Sequence, residues 1–238
     1  MKSKQWQGHT IVFSGNTDCY QPIERKLEIT RACLKMMLKW KHPVGIITKN
    51  SLILRDLDLL KELASMNLVS VYLSITTLSE ETKNTLEPRT ASIKNRLKAL
   101  QILSENNIPV KVMMAPIIPS LNSHEILPLV KKVAQLGARD VSFTVVRLNG
   151  QIAEIFKDWA YKTMPDRAEK IINQIAECHG GSLNDSRFGT RMRGEGVYAT
   201  QLKATMALAK KKYLGAPSTL ELDKSHYLTL KNPQTRLF

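Results

Sequence analysis

Residues 92–115 read SIKNRLKALQILSENNIPVKVMMA, a helical pattern that runs straight into a strand. Ser92 is a helix N-cap residue, and Leu97, Leu100, Ile102 and Leu103 form an apolar stripe within a helix reaching Asn107. Pro109 ends that pattern, because it cannot donate to a helical ladder, and Val110 to Ala115 is an apolar run of strand length. Val69 to Ile75 makes another strand upstream, followed by the short acidic segment Ser79-Glu80-Glu81. Strand, helix and strand in that order is the repeating unit of a parallel sheet with right-handed crossovers.

The rhythm extends both ways. Downstream, Ser123 to Leu136 reads as a helix and Asp140 to Val146 as a strand entered through Gly137-Ala138. Upstream, Val44-Gly45-Ile46-Ile47-Thr48 is a buried strand, and Leu57, Leu60 and Leu63 mark the helix after it. Pro22 opens one helical stretch that runs to about Trp40, and Thr10 to Ser14 is the first strand. The pattern is that of an α/β protein, an open sheet or a barrel, over residues 1–150. Past Arg147 come helices at Ile152 to Tyr161, Asp166 to Cys178 and Val197 to Lys212, with a glycine-rich segment at 180–196. No linker separates the parts, so residues 151–238 read as a helical, loop-rich extension of the same domain.

Composition bounds the function. The chain has 238 residues, 43% hydrophobic and 24% charged, which suits a globular core rather than a disordered tail. Basic residues number 35 against 21 acids, a net charge of +14 that attracts polyanions, of which nucleic acid is the commonest, without specifying chemistry. The three cysteines, Cys19, Cys33 and Cys178, are too scattered for a disulfide framework, and no signal peptide or membrane span is evident, so a cytoplasmic protein without a membrane partner is expected. The five histidines show no ligand spacing, so no histidine metal site is expected, and the glycines of 180–196 do not form a dinucleotide fingerprint.

Parallel sheets place their ligands at the carboxyl ends of the strands. There the sequence offers Asn16-Thr17-Asp18, Thr48-Lys49-Asn50, Ser74-Ile75-Thr76-Thr77, Pro116-Ile117-Ile118-Pro119 and Arg147. Each alone reads as a turn or cap residue; together they suggest a site. An acid at Asp18 and a cation at Lys49 suit a zwitterion such as an amino-acid moiety. Glu87-Pro88-Arg89 could close over such a ligand or form a surface ion pair.

The segments NTDCYQPIER (16–25), ITK (47–49), LRDLDLL (54–60), LEPRTA (86–91) and APIIPSLN (115–122) closely resemble radical SAM proteins of the spore-photoproduct-lyase-like, "DNA repair photolyase" group, as do RMRG (191–194) and the final Leu237-Phe238. The resemblance covers nearly the whole chain. It implies a lyase-like enzyme built on a partial (β/α)6 TIM-like barrel, in which S-adenosylmethionine meets a 4Fe-4S cluster and yields a 5′-deoxyadenosyl radical that abstracts hydrogen from a substrate. By the same resemblance, Asn16, Thr17 and Asp18 lie near the methionine amino group, Lys49 and Ser74 near its carboxylate, and Pro116 and Ile117 near the adenine. The substrate and the catalytic residues are not specified.

One departure stands out. The group binds its cluster through cysteines spaced C-x3-C-x2-C after the first barrel strand, and this sequence has no such triplet. The expectation is therefore a core lacking its first strand and cluster loop, an N-terminally truncated chain that is inactive and metal-free as it stands. A separate polypeptide would then supply the missing segment, and the isolated chain would tend to aggregate or pair. The alternative is a non-catalytic, basic nucleic-acid-binding module.

Overall fold

The computed structural model describes residues 3, 5–215 and 221–231; the Leu237-Phe238 match lies outside them. Among the described residues, five strands and ten α-helices follow one another. They are β1 (Ile11–Phe13), α1 (Glu24–Leu27), α2 (Ile29–Lys39), β2 (Val44–Thr48), α3 (Leu57–Ser65), β3 (Val69–Ser74), α4 (Glu80–Leu86), α5 (Ile93–Glu105), β4 (Val110–Ile117), α6 (Ile126–Gln135), β5 (Val141–Val145), α7 (Ile152–Thr163), α8 (Pro165–Glu177), α9 (Gly196–Tyr213) and α10 (Ser225–Lys231). The strands pair in parallel in the order β1-β2-β3-β4-β5. Sequential order with a helix after each strand is the winding of a (β/α) barrel, here left open between β1 and β5.

The expected rhythm holds, with differences of local origin. The stretch from Pro22 is two helices, because Glu28 adopts the left-handed conformation at φ 50° and turns the chain between α1 and α2. The acidic segment at 79–81, given no element from the sequence, opens α4, with the Ser79 hydroxyl accepting from Thr82 N–H as a side-chain cap. β4 runs to Ile117, so Pro116 and Ile117 belong to the strand, past a register shift against β5 that begins at Met114. Gly137 is needed at the α6–β5 turn: its φ is +89°, and a Cβ there would lie 2.0 Å from Ser104 Oγ.

Leu34, Leu60, Leu63, Val71, Leu73, Leu100, Val112 and Leu129 are fully buried between sheet and helices. A smaller cluster joins Ile118, Leu121, Val146 and Leu148 to Ile171 and Ile175 of α8, while α9 packs on α6. The 151–215 segment is thereby fastened to the last two strands. No helix among the described residues is long and apolar enough to cross a membrane.

Candidate functional site

The loop after β1 is organised by one carboxylate. Asp18 Oδ1 accepts from Tyr20 N–H at 2.9 Å and from the Thr48 hydroxyl at 2.8 Å, and Oδ2 accepts from Lys49 N–H at 2.8 Å. Three donors occupy most of what a carboxylate can accept, so Asp18 ties the end of β2 to the loop after β1. Asn16 and Thr17 stand exposed beside it. Asn50 completes the tie by donating from Nδ2 to Tyr20 O at 2.8 Å.

Beneath this loop the other quoted motif residues form a brace. Asp56, fully buried, accepts from Tyr20 Oη at 3.1 Å, from Arg31 Nη1 at 2.9 Å and from Arg55 at 2.9 and 3.0 Å. Arg55 also reaches Glu24, whose carboxylate accepts the N–H groups of Ile29 and Thr30 and so caps α2 from outside that helix. Burial, with the Asp56 charge beside it, pushes the Tyr20 phenol far above its ordinary value. These residues hold the Asp18 loop in place.

A second chain of contacts starts at Lys49. Its Nζ donates to Glu87 Oε1 at 2.7 Å, and Glu87 Oε2 accepts from Arg96 Nη2 at 2.7 Å. Arg96 is wholly buried, and its Nη1 donates to Ser74 O at 3.0 Å. Burial alone would raise the Glu87 carboxyl; Lys49 and Arg96 outweigh it and hold the group below the usual carboxylate range. Glu87, read in the sequence as a motif residue that closes over a ligand or forms an ion pair, is paired with Lys49 and Arg96 and is thus the hub between Lys49 and Ser74. Arg96 gave no sequence signal, because a lone arginine in a helix reads as surface.

Asn122 links the remaining positions. Its Nδ2 donates to Thr76 O at 2.8 Å and Pro116 O at 3.2 Å, and its Oδ1 accepts from Ile118 N–H at 2.7 Å. Glu125, also missed, accepts from Thr77 Oγ1 and Leu78 N–H, both at 2.5 Å. Among the sequence-selected residues, Asp18, Lys49 and Ser74 are connected through Glu87 and Arg96, and Pro116 with Thr76 through Asn122, while Arg147 donates instead to Asp185 O at 3.4 Å. Thr17 and Asp18 also line a cavity of about 370 Å³ with Cys19, Ile29 and Cys33, which Lys49, Ser74 and Pro116 do not line.

The donor set suits S-adenosylmethionine in kind: an acid, a cation and hydroxyls stand near strand ends that also offer the apolar Pro116 and Ile117. One point differs from the sequence argument. Asp18 and Lys49 are not a free acid and base, since each already has protein partners.

The residues do not suit a 4Fe-4S cluster. Cys19 and Cys33 share the small cavity, but Cys178 is buried near α9. Burial raises the Cys19 and Cys178 thiols to about 11, opposite to the thiolate that ligation needs. Among the described residues no group of three histidine, cysteine or acidic side chains could hold a metal ion.

Known proteins resemble this chain in sequence and in fold. The chain is 31% identical over 176 residues to an uncharacterized protein of Methanocaldococcus jannaschii, covering 74% of this chain and 64% of the relative. It is 26% identical over 168 residues to an uncharacterized protein of Mycobacterium tuberculosis, covering 70% of this chain and 49% of the relative. The matches thus span less than two thirds of these relatives' lengths. Among solved structures, a spore photoproduct lyase variant with bound AdoMet and dinucleoside spore photoproduct superposes with a TM-score of 0.51 at 16% identity, over 84% of this chain and 57% of the lyase, a likeness of fold. The sequence model described as "Radical SAM superfamily" matches residues 1–133. More than half of the chain is matched, and on that ground it belongs to the radical SAM superfamily.

Proposed function

We propose that this chain provides the S-adenosylmethionine-binding core of a radical enzyme, with the cofactor's amino-acid end at Asn16 to Asp18, Lys49 and Ser74 and its adenine near Pro116 and Ile117. The observation that carries the reading is the polar chain from Asp18 through Lys49, Glu87 and Arg96 to Ser74, which brings three successive strand ends into one network. In this reading Asp18 fixes the loop that presents Asn16 and Thr17, and Glu87 sets the direction of the Lys49 ammonium. Ser74 is the last residue of β3, and in this reading its hydroxyl meets the carboxylate. When bound and reductively cleaved, S-adenosylmethionine supplies a carbon radical that abstracts hydrogen; the protein's part is to orient it and keep water out.

The cluster ligands, in this reading, come from outside these 238 residues, as a longer reading frame or a second polypeptide. The test has two arms. Calorimetric titration of S-adenosylmethionine into the purified chain should give binding that Asp18→Ala and Lys49→Met each weaken at least tenfold. Anaerobic reconstitution with iron and sulfide should leave the chain without stoichiometric iron, and the same treatment with the upstream-encoded segment present should give 5′-deoxyadenosine. Absence of binding, or variants that bind like the parent, would dismiss the site.

A further inference from the structure

We infer that the groove between β5 and α9 is a binding track for single-stranded nucleic acid. A cavity of about 800 Å³ lies there, on the outer side of the last strand of the sheet. Its floor is apolar, with Val141 and Phe143 from β5 and Met206 and Ala207 from α9. Its walls carry five cations, Arg139, Arg193, Lys203, Lys210 and Lys211, against one acid, Asp140.

The ordinary explanations account for part of this charge. Lysines suit the last turn of a helix, where they complement its dipole. Lys210 pairs with Asp140 at 2.6 Å, and Lys203 donates to Gly194 O at 2.9 Å. Three cations are left over. Arg139, Arg193 and Lys211 are exposed and have no ion-pair partner among the described residues, yet they come from three separate segments and face one groove. α9 itself contains no acidic residue.

Cations on both walls over an apolar, partly aromatic floor match a polyanion that also has flat apolar faces. A single strand has both, because its phosphates can follow the rim while unstacked bases lie on Phe143 and Ala207. A duplex keeps its base faces inside the stack, and an acidic peptide has no such faces. The inference uses none of the residues at the S-adenosylmethionine site, so neither reading falls with the other.

Fluorescence anisotropy tests it on the full chain without cofactor, using a labelled short oligothymidine, a duplex of equal length and polyglutamate. Arg139→Gln, Arg193→Gln and Lys211→Gln combined should weaken oligothymidine binding by about tenfold at about 0.1 M salt and lower the log–log salt slope by roughly 2, near 0.7 per cation removed. Lys94→Gln, Lys98→Gln and Lys131→Gln combined, on exposed positions of α5 and α6, should change affinity less than about twofold. All six positions are exposed, so both variants should melt as the parent does. Equal weakening in the two variants would reduce the effect to net charge and overturn the proposal. So would duplex or polyglutamate bound as tightly as oligothymidine, or no binding at low salt.

Discussion

The Lys49 ammonium lies 2.7 Å from Glu87 Oε1, on a carboxylate whose other oxygen is held by an arginine with no solvent exposure. Lys49 is thereby aimed by a residue on the connection after β3 rather than by its own strand. The contact also compensates the buried charge of Arg96, which makes Glu87 a structural residue as well as a positioning one.

Glu87→Gln should therefore cost about 3 kcal/mol of unfolding free energy, the range for leaving one member of a buried ion pair uncompensated. Its folded-state value lies below the unfolded one. The stabilisation is present above the ordinary carboxylate range and is lost as pH falls through the depressed value. Urea titrations of parent and variant should thus converge at strongly acid pH and separate near neutrality.

Asp56→Asn should destabilise by roughly 3 kcal/mol, or a melting-temperature drop of roughly 10 °C for a chain this size. It removes the charge that pairs Arg31 and Arg55 and accepts from Tyr20. Because that brace carries the Asp18 loop, S-adenosylmethionine binding should weaken in step with stability. Calorimetry and thermal melting on the same preparation would decide this.

Acid sensitivity should also arise far from the site. Trp6 Nε1 donates to His42 Nε2 at 2.9 Å, and since an indole nitrogen only donates, His42 Nε2 must be unprotonated, leaving Nδ1–H for Pro43 O at 2.9 Å. Burial lowers the His42 value further. The neutral ring stabilises the fold above the unfolded-state value, about 6.5, and that contribution is lost as pH falls toward the folded one. A His42→Gln variant should show a flatter dependence of the denaturation midpoint between pH 7.5 and 5.

Cys19 and Cys178 should alkylate slowly. With thiols raised to about 11 from 9.0, iodoacetamide at pH 8 should modify them about a hundredfold more slowly than in urea, from thiolate fraction alone. Mass spectrometry of timed digests gives both rates, and fast modification in the folded chain would contradict the burial.

The strands were legible because short apolar runs alternate with helix-length patterns, and the polar residues after them were legible because parallel sheets put loops there. The break at Glu28 was not, since apolar spacing continues across it and a left-handed glutamate leaves no pattern. α4 was hidden by its length and polarity, with only Ser79 to mark its start. Asp18, Lys49 and Ser74 were selected by their position after strands; the coupling between them runs through Glu87 and Arg96, which belong to a connection and a helix. Side-chain reach across that distance has no periodic trace. The YQPIER and LRDLDLL segments were noticed as motifs; that Tyr20, Glu24, Arg55 and Asp56 brace a loop follows only from their contacts.

Asn122 binds the carboxyl-terminal ends of β3 and β4 through backbone groups on both. Opening the β3 end alone would strip the bond to Thr76 O from this buried amide, and opening the β4 end alone would strip those to Pro116 O and Ile118 N–H, so the two ends should open together. Amide protons there should exchange with solvent as one slow cooperative unit, while those of β1, an outer strand of the sheet, exchange earlier. The rim of the sheet should therefore yield before its mouth does, leaving the strand ends that gather the candidate site as the last part of the sheet to open.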